Sequence, residues 1–100
     1  MKLQTKEEIK DWLDKYSVKN YTINNDLTVD VRDHINLSNK ELKEIPLKFG
    51  TVSGNFNCSH NKLKNLEFSP KEVGGSFDCS YNKLTSLKDC NNIWLLTSIN

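Results

Sequence analysis

Three cysteines and two histidines are the side chains in this 100-residue sequence best suited to covalent or metal chemistry. A thiol attacks or ligates as its thiolate, which needs exposure and a neighbouring group that lowers its pKa. Cys58 and Cys79 instead share one local setting, Phe56-x-Cys58-Ser59 and Phe77-x-Cys79-Ser80, in which strand alternation turns each thiol to the side of a phenylalanine. Both are expected inside, as small hydrophobes. Cys90 lies outside that setting and is the thiol to test for reactivity. No C-x-x-C or H-x-x-x-H spacing is present, so the sequence offers no metal site. His34 and His60 have no serine or cysteine in a nucleophile–base arrangement. Asp30, Asp33, Glu41, Glu44 and Asp78 are spread as a solvated surface without an acid–base pair. Gly74-Gly75 lacks the glycine spacing and following helix of a phosphate cradle. The expectation is a protein that is not an enzyme and uses no cofactor.

The shared setting of the cysteines belongs to a longer repetition. Val52-Ser-Gly-Asn-Phe56-Asn-Cys58-Ser59-His-Asn61-Lys62-Leu63-Lys-Asn-Leu66 returns as Val73-Gly-Gly-Ser-Phe77-Asp-Cys79-Ser80-Tyr-Asn82-Lys83-Leu84-Thr-Ser-Leu87, displaced throughout by 21 residues. Such self-similarity at fixed spacing marks a repeated structural unit. Phe56-x-Cys58-x-x-Asn61-x-Leu63-x-x-Leu66 follows the pattern L-x-L-x-x-N-x-L-x-x-L and resembles a leucine-rich repeat. Phe56 and Cys58 would share one face of a short strand, Asn61 would turn the chain and bond to backbone at the strand exit, and Leu63 and Leu66 would fill the interior. An earlier copy runs from Val31 through Ile35, Leu37, Ser38, Leu42 and Ile45, with Lys40 where asparagine is due. The fold class expected is α+β: a short leucine-rich-repeat-like solenoid of about three 21-residue coils on a parallel sheet, with an N-terminal capping helix and a β-hairpin.

Those elements are read as a single domain over residues 1–100. Thr5-Lys-Glu-Glu8 is a capping box, and Ile9, Trp12, Leu13 and Tyr16 recur on one helical face, so residues 5–17 are expected to form the capping helix. Residues 21–31 alternate apolar and polar on either side of Asn24-Asn25-Asp26, a hairpin signal. Repeats are expected over 31–90 and a C-terminal cap or interaction tail over 91–100. Within that tail Ile93, Trp94, Leu95 and Leu96 form an uncharged apolar run suited to self-association, which would make the protein a homo-oligomer.

Charge narrows the partners. Lys+Arg 14 against Asp+Glu 13 leaves a net charge of +1, which disfavours nucleic acid and anionic membranes as partners. No run of eighteen apolar residues occurs and the first residues carry no apolar signal core, so a membrane span is not expected and a cytoplasmic location is. The odd cysteine count agrees with that compartment.

A surface remains as the carrier of function. The outward positions of the repeat fall into columns: Asn36, Asn57 and Asp78; Ser38, Ser59 and Ser80; Asn39, His60 and Tyr81. Asn36, Asn57, Asp78, Ser59, Ser80, His60 and Tyr81 are the candidate protein-binding residues, small polar groups flanked by two larger anchors. The wording Lys-Phe-Gly-Thr-Val-Ser-Gly-Asn-Phe-Asn-Cys-Ser and Pro-Lys-Glu-Val-Gly-Gly-Ser-Phe-Asp-Cys-Ser-Tyr-Asn-Lys-Leu resembles the short leucine-rich-repeat proteins of large tailed bacteriophages, over residues 21–90. That resemblance implies a protein–protein interaction module without catalytic residues, and a phage source implies interference with a host protein, such as a defence component. The alternative is a structural protein whose copies join through the apolar tail.

Overall fold

The computed structural model describes residues 2–84. Thr5 caps helix α1 (Lys6–Lys15): its hydroxyl accepts the Glu8 N–H at 3.1 Å, and the Glu8 carboxylate accepts the Thr5 N–H at 3.1 Å. Two amides without intrahelical partners are thereby satisfied. Ile9 and Leu13 are fully buried beneath the helix, and the half-buried rings of Trp12 and Tyr16, 4.6 Å apart, cover the margin of the core.

The chain then forms a hairpin of β1 (Tyr21–Ile23) and β2 (Thr28–Val31), with Tyr21 opposite Val31 and Ile23 opposite Val29. Asp26 holds its turn by accepting from the Thr28 hydroxyl at 2.7 Å and the Thr28 N–H at 3.1 Å. Those bonds favour the carboxylate and hold its pKa below the ordinary value. Five short strands follow: β3 (Ile35–Asn36), β4 (Lys48–Val52), β5 (Phe56–Asn57), β6 (Glu72–Val73) and β7 (Phe77–Asp78).

They assemble as two sheets, one of four strands in the order β1-β2-β4-β6 and one of three in the order β3-β5-β7. The larger sheet is mixed: β1 and β2 are antiparallel, whereas β2 with β4 and β4 with β6 are parallel. The smaller is parallel, Ile35 pairing with Phe56 and Phe56 with Phe77.

This arrangement corrects the expected fold class. In place of a solenoid of three coils on one parallel sheet, the chain is a small α+β protein with one helix among the described residues and two sheets, one mixing strand directions. The cause is local. Each interval holds two apolar strand segments, and the bends at Ser53-Gly54-Asn55 and Gly74-Gly75-Ser76 send Val31, Val52 and Val73 to one sheet and Ile35, Phe56 and Phe77 to the other. The hairpin adds an antiparallel strand to the first. The displacement also slips in the earliest pairing, where Val29 faces Phe49 but Val31 faces Val52. Gly50 and Thr51 span this irregularity, and the Asp30 carboxylate accepts the Thr51 N–H there at 2.9 Å.

One apolar cluster joins α1, the hairpin and both sheets. Phe49, Phe56 and Phe77 run through it with centroids 5.5 and 5.3 Å apart, inclined as aromatic quadrupoles prefer. Cys58, Cys79 and Leu63 are fully buried beside them. Asn61, buried at the strand exit, accepts the Lys40 and Leu42 N–H groups at 3.0 Å and donates to the carbonyls of Leu37 at 2.8 Å and Cys58 at 3.0 Å. Asn82 repeats the device, accepting the Leu63 N–H at 3.0 Å and donating to Cys58 and Cys79 carbonyls. No helix among the described residues is long and apolar enough to cross a membrane.

Candidate functional site

The three-stranded sheet carries Asn36, Asn57 and Asp78 as neighbours on adjacent strands. Each closes the same turn as its strand ends. The side-chain oxygen of Asn57 accepts from the Ser59 N–H at 2.9 Å and the Ser59 hydroxyl at 2.7 Å, and Asp78 accepts from Ser80 at 3.0 and 2.7 Å. Asn36 does the same with Ser38. Such local bonds draw the chain off the strand path. Two expected contact residues are thereby largely covered: Ser59 and Ser80 are each only 3% exposed, with their hydroxyl protons committed to Asn57 and Asp78.

After the serines come Asn39, His60 and Tyr81, all in the left-handed region at φ 56°. Side chains with a Cβ meet steric resistance there, most of all a bulky one such as tyrosine. At Asn39 and His60 the conformation is held by backbone bonds to the next repeat, Asn39 N–H to the Ser59 carbonyl at 3.2 Å and His60 N–H to the Ser80 carbonyl at 3.0 Å. Its consequence is a pair of rings on the surface, His60 stacked on Tyr81 at 4.4 Å with 20° between planes. Tyr81 is 58% exposed, the exposed large apolar side chain among the described residues.

The structure does place a serine beside a histidine, Ser59 Oγ lying 3.2 Å from His60 Nδ1. The Ser59 hydroxyl already donates to Asn57, so its oxygen can only accept from the imidazole, the reverse of what a general base requires.

On the three-stranded sheet a groove of about 420 Å³ runs over Ile35 and Phe56, edged by Asn36, Asn57 and Asp78 and by His34, Asn55 and Ser76. His34 and Asn55 were not among the sequence candidates. His34 Nδ1 accepts the Asn55 N–H at 2.8 Å, and Asn55 Oδ1 accepts the Ser76 N–H at 2.8 Å, so each side chain reaches to the following strand segment. The signal was the glycine pair: a Cβ at Gly54 would lie 2.6 Å from His34 Nδ1, and one at Gly75 would collide with Asn55 Oδ1. Glycine at these two positions permits the close approach.

Among the described residues no cluster of three histidine, cysteine or acidic side chains could hold a metal ion. Cys90 and the proposed self-association residues Ile93, Trp94, Leu95 and Leu96 lie outside the described residues. Comparison with protein-family models, with curated proteins and with solved structures gives no match.

Proposed function

We propose that the protein is a non-enzymatic interaction module whose protein partner docks on the face of β3, β5 and β7. The observation that carries this reading is the exposed His60–Tyr81 stack, held in a backbone conformation that costs free energy. Backbone strain persists where surrounding bonds enforce it, and it gathers at functional positions. An exposed, pre-ordered aromatic is also the kind of anchor that dominates binding energy. Asn36, Asn57 and Asp78 supply polar contacts along the groove.

The repeat wording that resembles bacteriophage proteins supports a narrower version: a phage-encoded inhibitor that occupies a host protein, a defence component being the natural target. The odd cysteine count supports the bacterial cytoplasm as its place of action. Affinity capture from a bacterial lysate, followed by mass spectrometry, tests the reading with the parent chain and a His60→Ala/Tyr81→Ala variant in parallel. A protein retained by the parent and lost by the variant is expected; equal recovery by both would remove the assignment.

A further inference from the structure

Strand β1 (Tyr21–Ile23) is outermost in the larger sheet and pairs only with β2, in an unbroken antiparallel register. The direction of its backbone groups follows from the bonds at either end. The Asn20 carbonyl accepts the Arg32 N–H at 3.0 Å, and the Asn24 N–H donates to the Thr28 carbonyl at 2.8 Å. Bonded and non-bonded pairs alternate along an antiparallel ladder, so Thr22 bonds to β2 while Tyr21 and Ile23 turn their N–H and C=O groups to the opposite side. Val31, which lies opposite Tyr21, agrees: its carbonyl accepts the Ser53 N–H on the β4 side at 3.0 Å. Among the described residues, none of the four outward groups of Tyr21 and Ile23 has a hydrogen-bond partner.

An open edge of this kind is a template for a further strand, and natural chains commonly block it with lysine, proline or a bulge. Strand β1 has none of the three: Tyr21-Thr22-Ile23 is uncharged, and its register with β2 does not slip. The side chains of Tyr21 and Ile23 are engaged elsewhere, packed against the apolar cluster, with the Tyr21 hydroxyl donating to Asp14 of α1 at 2.9 Å. Thr22 is exposed.

We propose that β1 is a self-pairing surface, to which a second copy of this chain adds its own β1 antiparallel, about a two-fold axis at Thr22. In that register Tyr21 of one copy and Ile23 of the other exchange both N–H···O bonds, and the symmetric pair repeats the exchange, so all four groups are satisfied. It also sets Thr22 against Thr22, a cross-strand pair that sheets favour. A strand of another protein would meet the same four backbone groups, but a second copy supplies the matching threonine by symmetry. The inference does not depend on the His60–Tyr81 face.

A three-residue pairing is short, so the dimer is weak: sedimentation equilibrium of the full chain should show a monomer at about 10 μM and a growing dimer fraction toward about 1 mM. Thr22→Lys places like charges directly opposite each other across the axis and should weaken dimerisation by about tenfold or more. Ile23→Pro removes an outward donor without removing a bond to β2 and should weaken it by about as much. Thr51→Lys, at an exposed position of the inner strand β4, adds the same charge away from the edge and should stay within about twofold of the parent. Circular dichroism confirms that each variant is folded, and Thr22→Lys decides the matter where Ile23→Pro does not fold. A parent chain that stays monomeric throughout that range, a dimer weakened equally by Thr51→Lys, or one untouched by Thr22→Lys would each overturn the proposal.

Discussion

Asn61 shows how much one side chain can fix. Its amide satisfies backbone N–H groups from the preceding segment and carbonyls from two segments at once, all in a buried turn. Replacing it by alanine leaves several polar groups without partners, each costing about 1–3 kcal/mol. Asn61→Ala is therefore expected to destabilise by about 3–5 kcal/mol in urea melts, and a loss under about 1 kcal/mol would show that water replaces the amide. Gly75 is a second such point. A methyl group there displaces the Asn55 side chain and breaks its bond to the Ser76 N–H. Gly75→Ala should cost about 1–3 kcal/mol, whereas alanine at an unconstrained loop glycine would be neutral or slightly stabilising.

At the scale of elements, the bend between the hairpin and β3 depends on Asp33. Its carboxylate accepts from the His34 N–H at 2.7 Å and from Asn20 Nδ2 at 3.0 Å, tying the entry to β1 to the entry to β3. The His34 N–H first, then Asn20, hold the Asp33 pKa below its ordinary value of 3.8. A lowered folded-state pKa gives a contribution that is complete above the unfolded value and is lost as pH falls through the folded one. The difference in melting temperature between the parent and Asp33→Ala should accordingly be constant at neutral pH and shrink below pH 3.8. A difference that persists undiminished into that acid range would show the carboxylate's charge to be irrelevant.

Sequence legibility followed the range of the interactions at this same scale. The Thr5–Glu8 box could be read because both of its bonds lie within four residues. The inward placement of Phe56 and Cys58 could be read because strand alternation is local. The division into two sheets could not, because Val52 and Phe56 are both apolar, and nothing in their spacing says that a bend at Gly54 sends them to different ladders. The site divides likewise: Asn36, Asn57 and Asp78 lie side by side on one sheet and His60 stacks on Tyr81, but Ser59 and Ser80 are buried, their hydroxyls captured by Asn57 and Asp78. A period-two reading is blind to that bond. His34 and Asn55 were missed because their role is to bond backbone 21 residues later.

At the scale of the whole molecule, the helix, hairpin and both sheets share one apolar cluster, so no element has a core of its own. Unfolding should then be a single cooperative transition, as is usual for small domains. Leu63 is fully buried within the cluster. Leu63→Ala is expected to lose about 2–5 kcal/mol, with far-ultraviolet circular dichroism and tryptophan fluorescence shifting together. Separated transitions for the two probes would reveal a part that folds independently.

The interaction role is the claim on which the functional account turns, and its most direct measurement is the affinity of the captured partner for the parent and for His60→Gly/Tyr81→Gly. Glycine accepts the left-handed backbone of both positions, so the variant should keep its stability within about 1 kcal/mol while losing the stacked rings. Isothermal titration should then show binding weakened by about 30-fold or more, the scale set by truncating an interface anchor. Affinity within about twofold of the parent, in a variant shown to be folded, would place the partner elsewhere on the molecule.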